Sequence, residues 1–193
     1  MNTPSTLSGI RANFMGIHPK IDPTAFVDPS SQIMGNVQIG PNVYIGPLTV
    51  IRADEADPGG KVHPVIIEKD ACIQDGVIIH ARAGTEVRIG PKANIAHGAI
   101  IHGPSVIGES CFIALRGTIY SATLEESVWV GIGAIVMRAT VPANTMIPAG
   151  SIVRDNSDVR NFRLTNVKEI DYQKDVFEAS AALREGYKRM YGK

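Results

Sequence analysis

Three of the five histidines, His80, His97 and His102, fall within residues 73–104, at separations of 17 and 5. Neutral imidazoles bind zinc and related divalent metals, and three of them with one coordination position left open is the pattern of a catalytic zinc site. The same stretch carries Gln74 and Asp75, and the segment IRADE upstream supplies Arg52, Asp54 and Glu55. Carboxylates beside a metal-bound water accept its proton or fix its orientation. Gln74 could hydrogen-bond such a water or a substrate, or could be a polar residue in a turn. Arg52 beside Asp54 or Asp75 could equally be an ion pair holding two chains together. Choosing between these roles requires knowing what brings such separated residues to one place.

The positioning element is a repeat. Aliphatic residues stand six apart at Ile21, Val27, Ile33, Ile39, Ile45 and Ile51, and again at Ile67, Ile73 and Ile79. The phase restarts at Ile89 and runs through Ile95, Ile101, Ile107, Ile113 and Ile119. After one-residue slips it continues at Leu124, Val130 and Val136, then at Val141, Ile147 and Val153. A period of six fits neither a helix nor a paired strand. It fits a hexapeptide β-helix, in which each hexamer is a short strand plus a corner and three hexamers make one coil. Pro or Gly follows the aliphatic residue near the corner, as at Pro23, Pro29, Gly35, Pro41 and Pro47, and a small or β-branched residue fills the fourth place. The expected fold is an all-β solenoid over 17–154, with loops bulging at about 53–65 and 81–88. An irregular N-terminal arm is expected over 1–16, and a linker and C-terminal α-helix over 155–193. That helix should pack along one side of the prism through Ile170, Phe177 and Ala181.

The coil count sorts the histidines. His80 follows Ile79 and His102 follows Ile101; once the 81–88 loop is discounted, two hexamers lie between theirs, so the chain is back on the same face three sides later. They therefore stack on one face, one coil apart, with Arg52 one coil below. His97, two places after Ile95, sits near a corner and is not aimed at the pair. A third ligand could come from a neighbouring copy if the three-sided prisms pack as a closed trimer.

Bulk composition limits the alternatives. Lys+Arg and Asp+Glu both total 19, giving a net charge of zero, so no electrostatic reason exists to expect nucleic acid or an anionic membrane as partner. No segment approaches the roughly 20 apolar residues of a membrane span. The start of the chain lacks the apolar core of a secretory signal, so a cytoplasmic location is expected. Cys72 and Cys111 form no CxxC and read as reduced, packed thiols.

The segments IRADE, IQDGVIIH, NIAHGAIIHGP and VPANTMIPAGSIV, with LREGY near the C-terminus, resemble the γ-class carbonic anhydrases over residues 20–190. The resemblance implies a left-handed parallel β-helix that forms a homotrimer, with a metal between each pair of subunits. His80 and His102 would come from one subunit and His97 from the next. It implies Zn2+, with Fe2+ or Co2+ in some members, and reversible hydration of CO2 to bicarbonate by metal-bound hydroxide. By matched position Gln74 would orient the hydroxide or CO2, and Glu55 would take part in proton transfer. Arg52, Asp54 and Asp75 would act at the interface and around the site. Two positions depart from the family. Ala83 stands where the most active members carry a proton-shuttling glutamate, and Ser180 stands where an asparagine is usual. His63 or Glu86 could relay protons instead. The alternatives are a slow or non-catalytic scaffold of the same fold, and a hexapeptide acyltransferase using coenzyme A.

Overall fold

In a computed structural model that describes residues 9–192, the aliphatic residue of every hexamer points into a shared interior. Ile33, Ile51, Ile79, Ile101 and Ile119 form one such column, all 0 % exposed. Full burial of each is worth about 1.5–3 kcal/mol relative to leaving it in water. The fourth-place residues, Ser31, Val37, Val43 and Thr49 among them, are buried beneath the corners. The result is a left-handed parallel β-helix with hexapeptide repeats and a single C-terminal helix; the period of six predicted the solenoid, and the family resemblance implied its hand.

Strands a coil apart pair in parallel, giving one sheet of eight strands and two of seven. Because strand side chains alternate in and out, the outward positions of each sheet line up in columns, and the three faces differ in chemistry. The first face carries Arg52, His80, His102 and Tyr120 in consecutive register. The second carries mainly polar residues, such as Lys20, Gln38 and Arg88. The third carries Phe26, Tyr44, Cys72, Asn94, Phe112 and Trp129.

The helix Val167–Met190 lies over this third face. Tyr187 stacks on Phe26 at 5.4 Å, and Tyr172 meets Phe112 and Trp129 edge-on at 5.7 and 5.8 Å. Its start is fixed by a capping box: the Asn166 side chain accepts from the Lys168 N–H, and the Glu169 carboxylate accepts from the Asn166 N–H. Arg163 pairs with Glu169 at 2.5 Å and holds that carboxyl down at about 2. Farther along, Arg184 and Lys188 donate to the Asn42 and Thr24 carbonyls.

The contact face of the helix differs from the expected one at its first residue. Ile170 is 57 % exposed, whereas Ser180 is buried and Tyr187 packs on the aromatic column. The apolar spacing had pointed to Ile170, but a docking surface rich in rings and polar groups selects Tyr172, Ser180 and Tyr187 instead. The N-terminus also departs from expectation. Ile10–Arg11 forms a rung paired in parallel with Gln32–Gly35, so the coil begins inside the segment expected to be irregular. Residues 1–8 of that arm lie outside the described residues. Ile10 is 40 % exposed, so no buried aliphatic marks this rung in the sequence. Several corners are turned by non-glycine residues at positive φ, including Lys92, Ser110, Ser127 and Asn144. No helix of the described residues is long and apolar enough to cross a membrane.

Candidate metal centre

The strands Val50–Ala53, Ile78–His80 and Ile100–His102 lie side by side with Arg52, His80 and His102 in register. The two histidine strands end at this outward position and the first strand runs one residue past it, so the side chains project at the edge of the first face. His80 Nδ1 lies 3.3 Å from His102 Nε2. On its far side the His102 ring donates from Nδ1 to the Gly103 carbonyl at 3.0 Å, which leaves Nε2 with its lone pair facing His80. Tyr120 stacks on the same ring at 5.3 Å.

Glu55 closes the other side. Its Oε2 accepts from the Ala83 backbone N–H at 3.0 Å, and its Oε1 sits 3.2 Å from His80 Nε2. The latter is an ion-pair distance rather than an aligned hydrogen bond, and His80 Nε2 is buried without a hydrogen-bond partner. Burial, with the Arg52 guanidinium second, lowers the His80 pKa. The ring is thereby held neutral, the form that ligates metals. Arg52 donates to Asp54 at 2.9 Å and reaches Glu55 at 3.7 Å. The structure thus gathers Arg52, Asp54, Glu55, His80 and His102 into one cluster.

Gln74, Asp75 and His97 form a second cluster at the corner between the third face and the first. His97 lies in the turn after Asn94–Ile95, with Nδ1 3.3 Å from Asp75 Oδ2 on the coil below. Its side chain is 54 % exposed and lines a cavity of about 440 Å³ with Gln74, Leu115, Trp129, Ile132 and Tyr172. Both amide hydrogens of Gln74 are engaged, one by Ser180 Oγ and one by Cys72 Sγ, each at 3.1 Å. Its carbonyl oxygen is the end left to accept. Burial pushes the Cys72 thiol up to about 11, so it is protonated at neutral pH.

The two clusters occupy opposite edges of the first face, and no group of three or more metal-ligating side chains meets among the described residues of a single chain. The His80–His102 pair nevertheless suits a metal ion. Two nitrogens each about 2.05 Å from a tetrahedral ion stand about 3.3 Å apart, the separation found here. Without a cation the same contact is a hydrogen bond from His80 Nδ1–H to His102 Nε2, and a metal ion would take the place of that proton. The donor set is imidazole, which suits zinc, iron and cobalt alike.

Of the proposed relays, His63 pairs with Asp57 at 3.0 Å within the long loop, and Glu86 is exposed. Sequence reasoning gave no role to Tyr120 or Cys72. The coil count could have found Tyr120, which follows Ile119 as His102 follows Ile101. The same count puts Cys72 just before inward Ile73, hence outward, where a bare prism would expose it.

A family model described as bacterial transferase hexapeptide (six repeats) matches residues 18–53. The chain is 34% identical over 149 residues to the carboxysome assembly protein CcmM of Nostoc sp., covering 72% of this chain and 26% of that protein. It therefore spans roughly a quarter of the length of such carboxysome relatives. It is 29% identical to the carbonic anhydrase of Methanosarcina thermophila, over 88% of this chain and 75% of that one. It is 33% identical to the carnitine operon protein CaiE of Escherichia coli, over 89% and 85% of the two chains. Among solved structures, a hexapeptide transferase family protein from Anaplasma phagocytophilum superposes with a TM-score of 0.70 at 24% identity, covering 93% of this chain and 98% of that one.

Proposed function

Given that the chain belongs to the hexapeptide-repeat, left-handed β-helix proteins and counts a carbonic anhydrase among its relatives, we propose that it catalyses reversible CO2 hydration at a metal held between subunits. The observation that carries this reading is the His80–His102 nitrogen pair, 3.3 Å apart with the His102 tautomer fixed by Gly103. His97 of an adjacent copy would complete the set. Ile78, Ile100 and Ile152, exposed by 44, 39 and 56 % on the face between the two clusters, support burial of that face in a homotrimer.

A divalent metal bound there, zinc or alternatively iron or cobalt, supplies Lewis acidity that makes water a nucleophile near neutral pH. The chain's own residues do the rest. Gln74, with its N–H groups tied to Ser180 and Cys72, presents a carbonyl oxygen that can accept from the reacting water and orient it. Glu55, with one oxygen fixed by the Ala83 N–H, has its other oxygen beside His80 and can take a proton. Arg52 orients Asp54 and Glu55 electrostatically. Asp75 holds the imidazole of His97 in place.

The test is stopped-flow CO2 hydration by the metal-loaded protein, prepared reduced and anaerobically, against a His97→Ala control. A rate above buffer that disappears in the control supports the reading; no rate in any metal form overturns it. A second reading, a scaffold with the metal retained, is favoured by Ala83. At that position the loop offers Glu55 a backbone N–H and no carboxylate for proton export. The carboxysome assembly proteins among the relatives are consistent with such a role. Bound metal with no hydration would select it.

A further inference from the structure

We propose that the cavity flanking the C-terminal helix on the side away from Gln74 is a binding site for a neutral, sugar-sized polyhydroxy compound. Its volume is about 340 Å³, at the small end of the roughly 300–1,000 Å³ typical of small-molecule sites. It lies between the first turns of the helix and the corner column of Lys92, Ser110, Ser127 and Asn144.

The observation that points to a ligand is Asn94. This residue projects from the third face beneath the helix and is 2 % exposed, yet neither its Nδ2 nor its Oδ1 has a hydrogen-bond partner. Buried amides are almost always paired, and this one borders the cavity. A lone water accounts for little of such a space, since its share of liquid volume is about 30 Å³.

The lining defines the chemistry. Asn94 offers a donor and an acceptor side by side, which matches the adjacent hydroxyls of a vicinal diol. The hydroxyls of Ser127 and Thr165 and the amide of Asn144 border the same space, and none of these side-chain groups is hydrogen-bonded to another of the described residues. Trp129 and Phe177 supply apolar walls suited to the C–H face of a sugar ring. The charged groups at the rim already face opposite charges: Lys92 lies 3.7 Å from Glu109, Lys174 3.9 Å from Glu178, and Glu169 2.5 Å from Arg163. Nothing there calls for a charged ligand. The inference does not depend on the metal reading, because His97 and Gln74 line the other cavity.

Trp129 is the single tryptophan of the chain and lines both this cavity and the one beside His97, so its fluorescence reports binding at either, and the Asn94 and Thr165 variants assign the response to this one. The full-length protein is titrated with D-glucose, D-galactose, D-mannose and D-ribose, with adenosine monophosphate as a charged planar comparison. We expect a saturable fluorescence change with at least one sugar, confirmed by calorimetry and weakened tenfold or more in Asn94→Ala and in Thr165→Val. His97→Ala should bind the sugar like the parent. If Asn94→Ala does not fold, Thr165→Val and the rim variant Ser127→Ala carry the test. No saturable response to any sugar, equal affinity in the cavity variants, or tighter binding of the nucleotide would each overturn the proposal.

Discussion

Ser180→Ala tests how the C-terminal helix acts on the proposed site. Ser180 is 3 % exposed, donates to the Val176 carbonyl at 2.8 Å and accepts from Gln74 at 3.1 Å. Loss of the first bond is cheap, because the carbonyl belongs to the helix ladder and serine bonded to its i−4 carbonyl slightly weakens a helix. Alanine also returns roughly 0.5 kcal/mol through better helix propensity. Loss of the second strands a part-buried Gln74 N–H, at a cost of about 1–3 kcal/mol. The net expectation is a loss of about 1–2 kcal/mol, which for a chain of this length lowers the melting temperature by about 2–8 °C. Turnover in CO2 hydration should fall roughly tenfold, the equivalent of about 1.4 kcal/mol in the barrier, while metal content stays unchanged. Thermal denaturation, metal analysis and stopped-flow kinetics read the three quantities. In a Gln74→Ala background the Ser180→Ala change should cost much less, since neighbours sharing a hydrogen bond are not additive. Unchanged melting and unchanged turnover in the single variant would refute the claim that the helix positions Gln74.

Four further outcomes are expected. His97→Ala should remain folded and associated by light scattering, while metal per chain falls sharply by elemental analysis. Gly108→Ala should destabilise by about 1–3 kcal/mol through overpacking, read by urea denaturation, because a Cβ there would lie 2.6 Å from the Glu125 carbonyl carbon. The Glu169 carboxyl, lowered from 4.5 to about 2 by Arg163 and the Asn166 N–H, contributes stability that is present above pH 4.5 and lost as pH falls towards 2. Glu169→Gln should flatten that acid limb in denaturant titrations. Cys72, buried and with its thiol raised to about 11, should resist a disulfide-exchange reagent at pH 8 until the chain is unfolded.

The coil was legible because its cause is local and repeated: each inward aliphatic is selected by the same interior, so the period survives two loops and two slips. The Arg52–His80–His102 stack followed from counting, since parallel ladders fix register. The helix docking face was not legible from apolar spacing, because its partners are aromatic and polar side chains at outward positions, where the interior imposes no pattern. For the same reason Ser180 could be matched to a family position yet not to Gln74, whose bond to it crosses 106 residues of sequence. The rung at Ile10–Arg11 escaped notice because no fully buried aliphatic marks it, Ile10 being 40 % exposed.

The loops leave the coil and return to it without altering its pitch. The chain between Arg52 and His80 is longer than that between His80 and His102, yet each pair sits on adjacent rungs. Distance along this molecule is therefore graduated like a ruler, in steps of about 4.8 Å fixed by peptide hydrogen bonds and blind to how much sequence lies between the marks. Segments such as 56–64 are free to lengthen, shorten or acquire new partners while the imidazoles keep their spacing. A lineage with this architecture can rewrite what approaches the site without disturbing the site.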